Sequence, residues 1–382
     1  MPADPGSAAD PGSTVGPSMS ADPSMSAGPG MPTEDVTTRV REVLEAGRAE
    51  GRYSGAAWAW GSEQGLEAAG QVGTVADDDP QPVTDQHLFD LASVTKPLVA
   101  LAILRRVDRG DLRLDQQVGE VLTDWPDTPM ARTDLRSLLT HTSGAPGPTP
   151  LFREHPDREG LLTALSRLPV DPPGQWRYSS MGYITLGLVA ERATGLRLDH
   201  LLAQEVLDPC GMTRTRYGPV PPELAVSTED CPWRGRVVRG SVHDENAEVL
   251  GGMAGHAGLF GTAADLGRLA TTLLRGGVLD PDTERAMWGR DDGRPLGWWP
   301  RDRCGYLPET ASDRAIGHTG FTGTSLVLDP SRDRWVCLLA NRVHPSREPR
   351  GFDETRAAVH TLAFAPDSAA ASPRVLPSVR WR

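Results

Sequence analysis

The stretch LASVTKPLVA, residues 91–100, contains the only lysine of a chain whose lysines and arginines together number 39. Ser93 and Lys96 are three positions apart, so a helix that begins near Ser93 places them one turn apart on the same face. The run PLVALAIL that starts at Pro97 is apolar almost all round, which is typical of a helix buried in a core. Pro97 suits the first turn, where backbone N–H groups lack an intrahelical partner. The pattern therefore predicts a buried helix that carries a hydroxyl and an amine side by side.

A buried amine has unusual acid–base chemistry. Burial disfavours the charged form of lysine, and lowering its pKa from about 10.4 to about 7 costs roughly 4 to 5 kcal/mol. Neutral lysine accepts a proton, which arginine does not do in proteins. The start of the helix also brings backbone N–H groups and partial positive charge beside the Ser93 hydroxyl. Two interpretations stay open at this point: Ser93 is a nucleophile with Lys96 as its base, or Ser93 caps the helix and Lys96 extends to solvent.

Composition narrows the function classes. The chain has 382 residues, 38% of them hydrophobic and 24% charged, which suffices for a packed core in one large or two interleaved domains. Its formal net charge of -12 argues against a nucleic-acid surface and against adhesion to an anionic membrane. The four cysteines show neither zinc-ligand spacing nor a disulfide framework. We expect these cysteines to be reduced and mostly buried: Cys210, Cys231, Cys304 and Cys337.

Both termini differ in composition from the rest of the chain. Residues 1–33 repeat Ala-Asp-Pro units among Gly and Ser, and such a segment lacks the apolar side chains that offset the entropy of ordering. We expect a disordered low-complexity tail there and a flexible C-terminal tail over residues 365–382. The first residues show no apolar stretch of the kind that a secretory signal needs, and no later segment approaches 18 apolar residues. The expected location is therefore cytoplasmic.

Apolar patterns at both ends of the folded body predict matching elements. A helix is expected at TEDVTTRVREVLEAGRAEG (33–51), followed by two short strands at SGAAWAWGS (54–62) and GLEAAGQVG (65–73). Near the other end, TSLVLDPSRDRWVCLLANR (324–342) predicts two apolar strands around an Asp-Pro turn. A closing helix is expected at DETRAAVHTLAF (353–364). Sheet-forming segments therefore come from both ends of the chain.

The middle of the chain is rich in helical patterns instead. We expect an α/β (α+β) fold in which an antiparallel sheet is flanked by helices and is built from both chain ends. In this prediction, residues 34–108 and 255–364 form the α/β domain. Residues 109–254 form a largely helical inserted domain.

Four further motifs follow the SVTK motif along the chain. After SVTK come LLTHTSG (138–144), PGQWRYSSMGYITLGLVAE (173–191), GGMAGHAGLFGTAADLGR (251–268) and GHTGFTGTSLVLDP (317–330). Together they resemble the serine β-lactamase and penicillin-binding-protein superfamily, specifically its class C-like and esterase-like branch. The resemblance spans residues 34–364 and implies a β-lactamase/transpeptidase-like fold.

The resemblance also implies roles for particular residues. Ser93 would attack the acyl carbonyl and Lys96 would accept its proton. Tyr178 occupies the tyrosine of a Tyr-x-Asn element and would relay protons to and from the leaving group. Because a phenol at a pKa of about 10 is a poor base, Lys96 and Tyr178 form one coupled proton-sharing pair, and which of them is the formal base stays open. The second oxyanion donor would be the N–H of Phe321.

Two departures from the family pattern concern the substrate. Ser180 stands where the pattern has asparagine, and His318 stands where the Lys-Thr-Gly strand has lysine. Thr319 and Gly320 complete that strand at the edge of the acyl pocket. Serine offers less hydrogen bonding than asparagine, and a histidine is largely neutral near pH 7, so both changes favour neutral acyl substrates over β-lactams or peptides that end in D-alanine.

Other polar groups have simpler explanations. We expect His141 and His256 to be buried, hydrogen-bonded packing residues, and we expect the segment SVHDENAE (241–248) to be a loop that flanks the cleft, because its spacing fits no common pair of metal ligands. Trp298 and Trp299 either line the pocket or close the core.

These observations predict a serine hydrolase that cleaves a carboxylic ester or amide through an acyl-enzyme on Ser93. The expected partner is a small-molecule acyl substrate, with no cofactor, metal, nucleic acid or membrane, and the oligomeric state stays open. One alternative is a β-lactamase or a D-alanyl-D-alanine carboxypeptidase or D-aminopeptidase-like enzyme. A second alternative, of another class, is a non-catalytic sensor that traps an acyl group without releasing it.

Overall fold

The computed structural model describes residues 33–290 and 293–365. The tails predicted over residues 1–33 and 365–382 lie outside the described residues, apart from Thr33 and Ala365. Within the described part, none of the helices is long and apolar enough to cross a membrane.

Eleven α-helices are present in the described part of the chain. In chain order they are α1 (Thr33–Ala49), α2 (Thr95–Asp108), α3 (Val118–Val121), α4 (Leu135–Leu139), α5 (Arg158–Arg167), α6 (Ser180–Thr194), α7 (Leu198–Leu202), α8 (Glu245–Val249), α9 (Ala263–Arg275), α10 (Pro281–Met287) and α11 (Phe352–Ala363). The strands are β1 (Gly55–Ser62), β2 (Gly65–Gly73), β3 (Phe89–Asp90), β4 (Arg216–Tyr217), β5 (Asp230–Cys231), β6 (Arg236–Val237), β7 (Leu259–Gly261), β8 (Trp299–Pro300), β9 (Ile316–Thr319), β10 (Ser325–Asp329) and β11 (Arg334–Ala340).

Six strands form one antiparallel sheet in the order β2-β1-β11-β10-β9-β8. Next to the edge strand β2, Trp58 of β1 pairs with Leu338 of β11 on one side and with Gly70 of β2 on the other. Strands from the beginning and the end of the chain are thus direct neighbours. The predicted fold class is confirmed.

Both faces of this sheet are covered. Side chains alternate along a strand, so Ala57 and Ala59 face the core shared with α9, whereas Trp58 and Trp60 face the core shared with α1 and α11. Because both faces are buried, β1 and β11 are apolar almost throughout and do not alternate with polar residues. The helices on either side supply the covering that the apolar pattern requires.

The helices of the middle segment pack against the α9 side of the sheet. Helix α2 lies in that core with α4, α6 and α9, which explains its apolar surface all round. A small sheet in the order β3-β7-β4 adjoins α2. Its pairing of Asp90 with Phe260 brings the stretch before Ser93 beside the stretch that follows His256. The domain boundaries expected at residues 108/109 and 254/255 stay a prediction.

All four cysteines are free and buried, as predicted.

Candidate active site

Ser93 lies in a tight turn at the entrance to α2. A 3₁₀ turn spans Ala92–Val94, and the α-helix itself begins at Thr95, two residues later than Ser93. Ala92 adopts a left-handed backbone conformation with φ 47°, which is strained for a residue with a Cβ atom. The buried Asp90 holds this conformation, since its Oδ1 accepts the Ala92 N–H at 2.8 Å. The turn presents the Ser93 hydroxyl beside the next turn of the chain.

Three side chains meet at this turn. Lys96 Nζ lies 2.8 Å from Ser93 Oγ and 2.6 Å from Tyr178 Oη. Tyr178 Oη in turn lies 2.6 Å from Ser93 Oγ, so the three polar atoms form a closed triangle of hydrogen bonds. A third acceptor for the amine is the backbone carbonyl of His256, at 3.3 Å. Ser93 and Lys96 are therefore one functional group with Tyr178, which is 82 residues beyond Lys96.

Burial sets the protonation of the triangle. Lys96 has no exposed surface, and burial lowers its pKa to about 7, against a smaller raising effect of Asp244. Burial also raises the pKa of Tyr178 well above its ordinary value, despite hydrogen bonds with Ser93 and Ser180 that lower it. Near neutral pH the amine can lose its proton while the phenol keeps its own.

The segment around Tyr178 is held by the start of α6. Ser179 caps this helix through its side chain, which accepts the Gly182 N–H at 2.9 Å. The Ser179 N–H donates to His141 Nδ1 at 3.1 Å, and the His141 ring packs 4.9 Å from the Tyr178 ring. His141 is thus a buried, hydrogen-bonded residue that supports the tyrosine. Ser180, the first residue of α6, is buried, and its side chain lowers the pKa of the Tyr178 phenol through a hydrogen bond.

The turn after β9 is tied to the stretch before Ser93. Thr322 Oγ1 donates to the Asp90 carbonyl at 2.7 Å, and Thr324 Oγ1 donates to the Leu91 carbonyl at 2.9 Å. Gly320 is required here, because a Cβ atom at this position would lie 2.5 Å from the Leu91 carbonyl oxygen. Phe321 follows directly, and its N–H donates to no acceptor within the part of the chain that the structure describes. The residue is 45% exposed.

His318 is on β9, fully buried beside the triangle. Its ring packs 4.9 Å from Trp299 and 6.0 Å from Tyr178, and its Nδ1 lies 2.8 Å from the Thr319 carbonyl oxygen. Burial, with a contribution from the Lys96 charge, lowers the pKa of His318 to about 3, so the imidazole is neutral. Thr319 ends the strand. Of the two tryptophans, Trp299 borders the site, whereas Trp298 packs in the core with α2.

Sequence reasoning did not identify two acidic residues beside the triangle. Asp90 holds the Ala92 turn, and Asp244 accepts a hydrogen bond from His256 Nε2 at 2.8 Å. His256 is buried and hydrogen-bonded, and its carbonyl contacts Lys96. The one available signal was that Asp244 begins a short helix, since its side chain caps α8 through the Ala247 N–H. Nothing local in the sequence reveals its pairing with His256.

One group of potential metal ligands occurs among the described residues. Glu229, Cys231 and Glu245 have ligand atoms within 4.8 Å of one another. Arg347 already pairs with both glutamates, at 2.7 Å from Glu229 Oε1 and from Glu245 Oε1. His243 Nε2 also binds Glu229, at 2.9 Å. The carboxylates of Glu229 and Glu245 are therefore already engaged in an ion-pair network.

Comparisons with known proteins identify the family of the chain. The family model described as Beta-lactamase matches residues 40–360. The chain belongs to the beta-lactamase family. A relative from Escherichia coli (strain K12), named putative D-alanyl-D-alanine carboxypeptidase, is 27% identical over 360 residues, which covers 81% of each chain.

Solved structures share the fold of this chain. EstCE1, described as a hydrolase with promiscuous acyltransferase activity, superposes with a TM-score of 0.68 at 21% identity, over 86% of this chain and 99% of its own. A class C beta lactamase from Rhodobacter sphaeroides gives a TM-score of 0.67 at 21% identity, over 85% of this chain and 98% of its own. The structural neighbours show the fold, and the family match identifies the chain as a serine hydrolase of the beta-lactamase family.

Proposed function

We propose that this chain cleaves a carboxylic ester, or an amide, of a small molecule through an acyl-enzyme on Ser93. The observation that carries the proposal is the closed triangle of hydrogen bonds among Ser93 Oγ, Lys96 Nζ and Tyr178 Oη, each within 2.8 Å of the other two. A nucleophile needs a base within hydrogen-bond reach and a third group that orients the pair. The triangle supplies all three in a buried setting.

Lys96 is the proton acceptor in this mechanism. The Ser93 oxygen attacks the acyl carbonyl as its proton moves to the neutral amine, and the negative charge that develops is stabilised by the N–H groups of Ser93 and Phe321. The leaving group departs with a proton that passes from Lys96 through Tyr178. Water then releases the acyl group from Ser93. Tyr178 serves as a relay, because burial keeps its phenol protonated at neutral pH whereas the pKa of Lys96 is about 7.

The substrate-facing residues favour a neutral ester. His318 is a neutral imidazole at the position where the family pattern has a lysine, so it provides no positive charge for a substrate carboxylate. Ser180 lies against Tyr178 and offers a shorter donor than asparagine. The exposed ring of Phe321 adds an apolar contact at the rim. The competing assignments are a β-lactamase activity and the D-alanyl-D-alanine carboxypeptidase activity in the name of the Escherichia coli relative.

Labelling and turnover test the proposal directly. Intact mass after incubation with a fluorophosphonate is expected to show one adduct on the wild type and none on Ser93→Ala. Steady hydrolysis of p-nitrophenyl acetate or butyrate is expected to exceed hydrolysis of nitrocefin. Faster nitrocefin turnover would favour a β-lactamase. Stable labelling by an acyl ester without steady turnover would favour an acyl-binding sensor, and absence of any adduct would refute Ser93 as the nucleophile.

A further inference from the structure

Asp244 is a partly exposed carboxylate that contacts the buried ring of His256 beside the active site. Its Oδ1 lies 2.8 Å from His256 Nε2 and also accepts the Ala247 N–H at 2.8 Å, which caps α8. The preceding residue, His243, donates its N–H to Asp90 Oδ2 at 2.6 Å. The segment SVHDENAE (241–248) therefore contacts both the turn before Ser93 and the loop that carries His256 beneath Lys96.

The loop beneath Lys96 is short and tightly held. Lys96 Nζ contacts the His256 carbonyl at 3.3 Å, so the residue that binds Asp244 through its ring also contacts the amine through its backbone. On the other side, Asp90 Oδ1 holds Ala92, which directly precedes the nucleophile. Two short chains of contacts thus connect the dipeptide at positions 243 and 244 with the reacting atoms.

Asp244 and His256 form a pair in which the carboxylate is partly exposed and the ring is buried. His256 is buried, and its Nδ1 has no hydrogen-bond partner among the described residues. Although burial raises the pKa of Asp244, the interaction with His256 and the hydrogen bond from the Ala247 N–H outweigh it and hold that pKa well below its ordinary range. The side chain is therefore a carboxylate, and its negative charge raises the pKa of Lys96.

The other titratable groups around Lys96 do not compete with this charge. Burial keeps the nearby imidazoles neutral and the nearby phenols protonated, because it lowers the pKa of each histidine and raises the pKa of each tyrosine. These groups are His141, His318, Tyr178 and Tyr183. Within residues 33–290 and 293–365, Asp244 is the carboxylate whose charge acts on Lys96.

We propose that Asp244 is a positioning residue which, through His256, supplies the negative charge that keeps Lys96 basic enough to activate Ser93. The inference rests on the proposed function, because it assigns Lys96 the role of base. Burial alone would make the amine a weak proton acceptor, and Asp244 opposes that effect by raising the pKa of Lys96. His256 fixes the carboxylate in place and does not itself exchange a proton with the substrate.

Asp244→Asn removes the charge and preserves the local structure. Asparagine is as good a helix cap as aspartate, and its side-chain oxygen still accepts from the Ala247 N–H and from His256 Nε2. The measurement is the rate of Ser93 labelling by a fluorophosphonate as a function of pH, which reports activation of the nucleophile independently of deacylation. For the wild type we expect the rate to rise with pH around the Lys96 pKa of about 7.

In Asp244→Asn the midpoint is expected to fall by about 0.5 to 1 pH unit, because the ammonium form loses a stabilising anion. The plateau rate is expected to fall severalfold, since a weaker base accepts the serine proton less readily. The matched control is Asp157→Asn, which makes the same change at the cap of α5, where the side chain accepts the Gly160 N–H. The control is expected to match the wild type.

Two further variants separate charge from structure. Asp244→Glu restores the charge, so its midpoint is expected to lie closer to the wild type than that of Asp244→Asn. His256→Gln removes the ring that holds the carboxylate, and its plateau labelling rate is expected to fall. This variant tests the inference independently of whether Asp244→Asn folds. Unchanged midpoints and plateaus in Asp244→Asn and His256→Gln, or equal shifts in Asp244→Asn and Asp244→Glu, would overturn the inference. A wild type that is not labelled would instead refute the proposed function.

Discussion

Lys96 is fully buried in a chain whose other basic residues are all arginines, and its amine has three oxygen acceptors. An arginine at this position would keep the positive charge but could not act as a base, because the guanidinium stays protonated at any pH the protein tolerates. A residue that served only to neutralise Asp244 would tolerate that exchange. A residue that accepts the Ser93 proton would not.

Lys96→Arg is therefore expected to lower kcat/KM for p-nitrophenyl butyrate by about 100-fold or more, the usual contribution of a general base. Circular dichroism and thermal unfolding of the same sample check that the variant is folded. Lys96→Met, which also removes the base, is expected to lose a similar factor. Turnover by Lys96→Arg at the wild-type rate would contradict the role of Lys96 as the proton acceptor.

Helix α6 and the loop that carries His256 approach each other glycine to glycine. A Cβ atom on Gly255 would lie 2.0 Å from the Tyr183 carbonyl oxygen and 2.8 Å from the Gly187 nitrogen, both of them backbone atoms of α6. Neither atom can move without displacing the helix. This contact and the β3–β7 pairing together hold the His256 carbonyl in contact with Lys96.

Gly255→Ala is expected to destabilise the protein by about 1 to 3 kcal/mol, since overpacking forces backbone shifts in a dense core. The free energy of unfolding from urea titrations measures this loss. Gly305→Ala is the matched control, because a Cβ atom at Gly305 meets no atom within 4 Å. Equal stability of the two variants would show that the loop and α6 can separate at little cost.

An ion-pair network joins distant parts of the molecule near the active site. Glu229, in the middle of the chain, binds Arg347, which follows β11 near the C-terminal end. Although burial raises the pKa of Glu229, hydrogen bonds from His243 and Arg347 outweigh it and lower this pKa to about 2. A carboxylate with a depressed pKa stabilises the fold above its ordinary pKa of about 4.3, and the contribution is lost as pH falls toward the folded value.

Glu229→Gln is accordingly expected to lower the free energy of unfolding at pH 7. As pH falls from about 5 to about 2, the free energy of unfolding is expected to decrease less in this variant than in the wild type. The wild type should lose up to roughly 3 kcal/mol over this range from Glu229 alone. Urea titrations at several pH values measure both slopes. Glu309→Gln, at an exposed carboxylate, serves as the control and is expected to follow the wild type. Parallel curves for Glu229→Gln and the wild type would contradict the role of the network.

Local patterns predicted the elements well, because each is encoded within a few residues. The apolar run after Lys96 predicts α2, which begins at Thr95 directly after a 3₁₀ turn over Ala92–Val94. The unbroken apolar character of β1 and β11 reflects burial on both faces of the sheet. Tyr178, by contrast, was identified through family resemblance, since no local pattern joins it to a residue 82 positions away.

The sequence by itself determined which residues stand one helical turn apart, hence the pairing of Ser93 with Lys96, and which strands are buried on both faces. Only the tertiary structure decided that the Tyr178 hydroxyl, the His256 carbonyl and the Asp244 carboxylate converge on that pair. The reason is physical: spacing along a helix or strand is set by the backbone, whereas contacts across 80 to 160 residues exist only once the sheet and helices have packed.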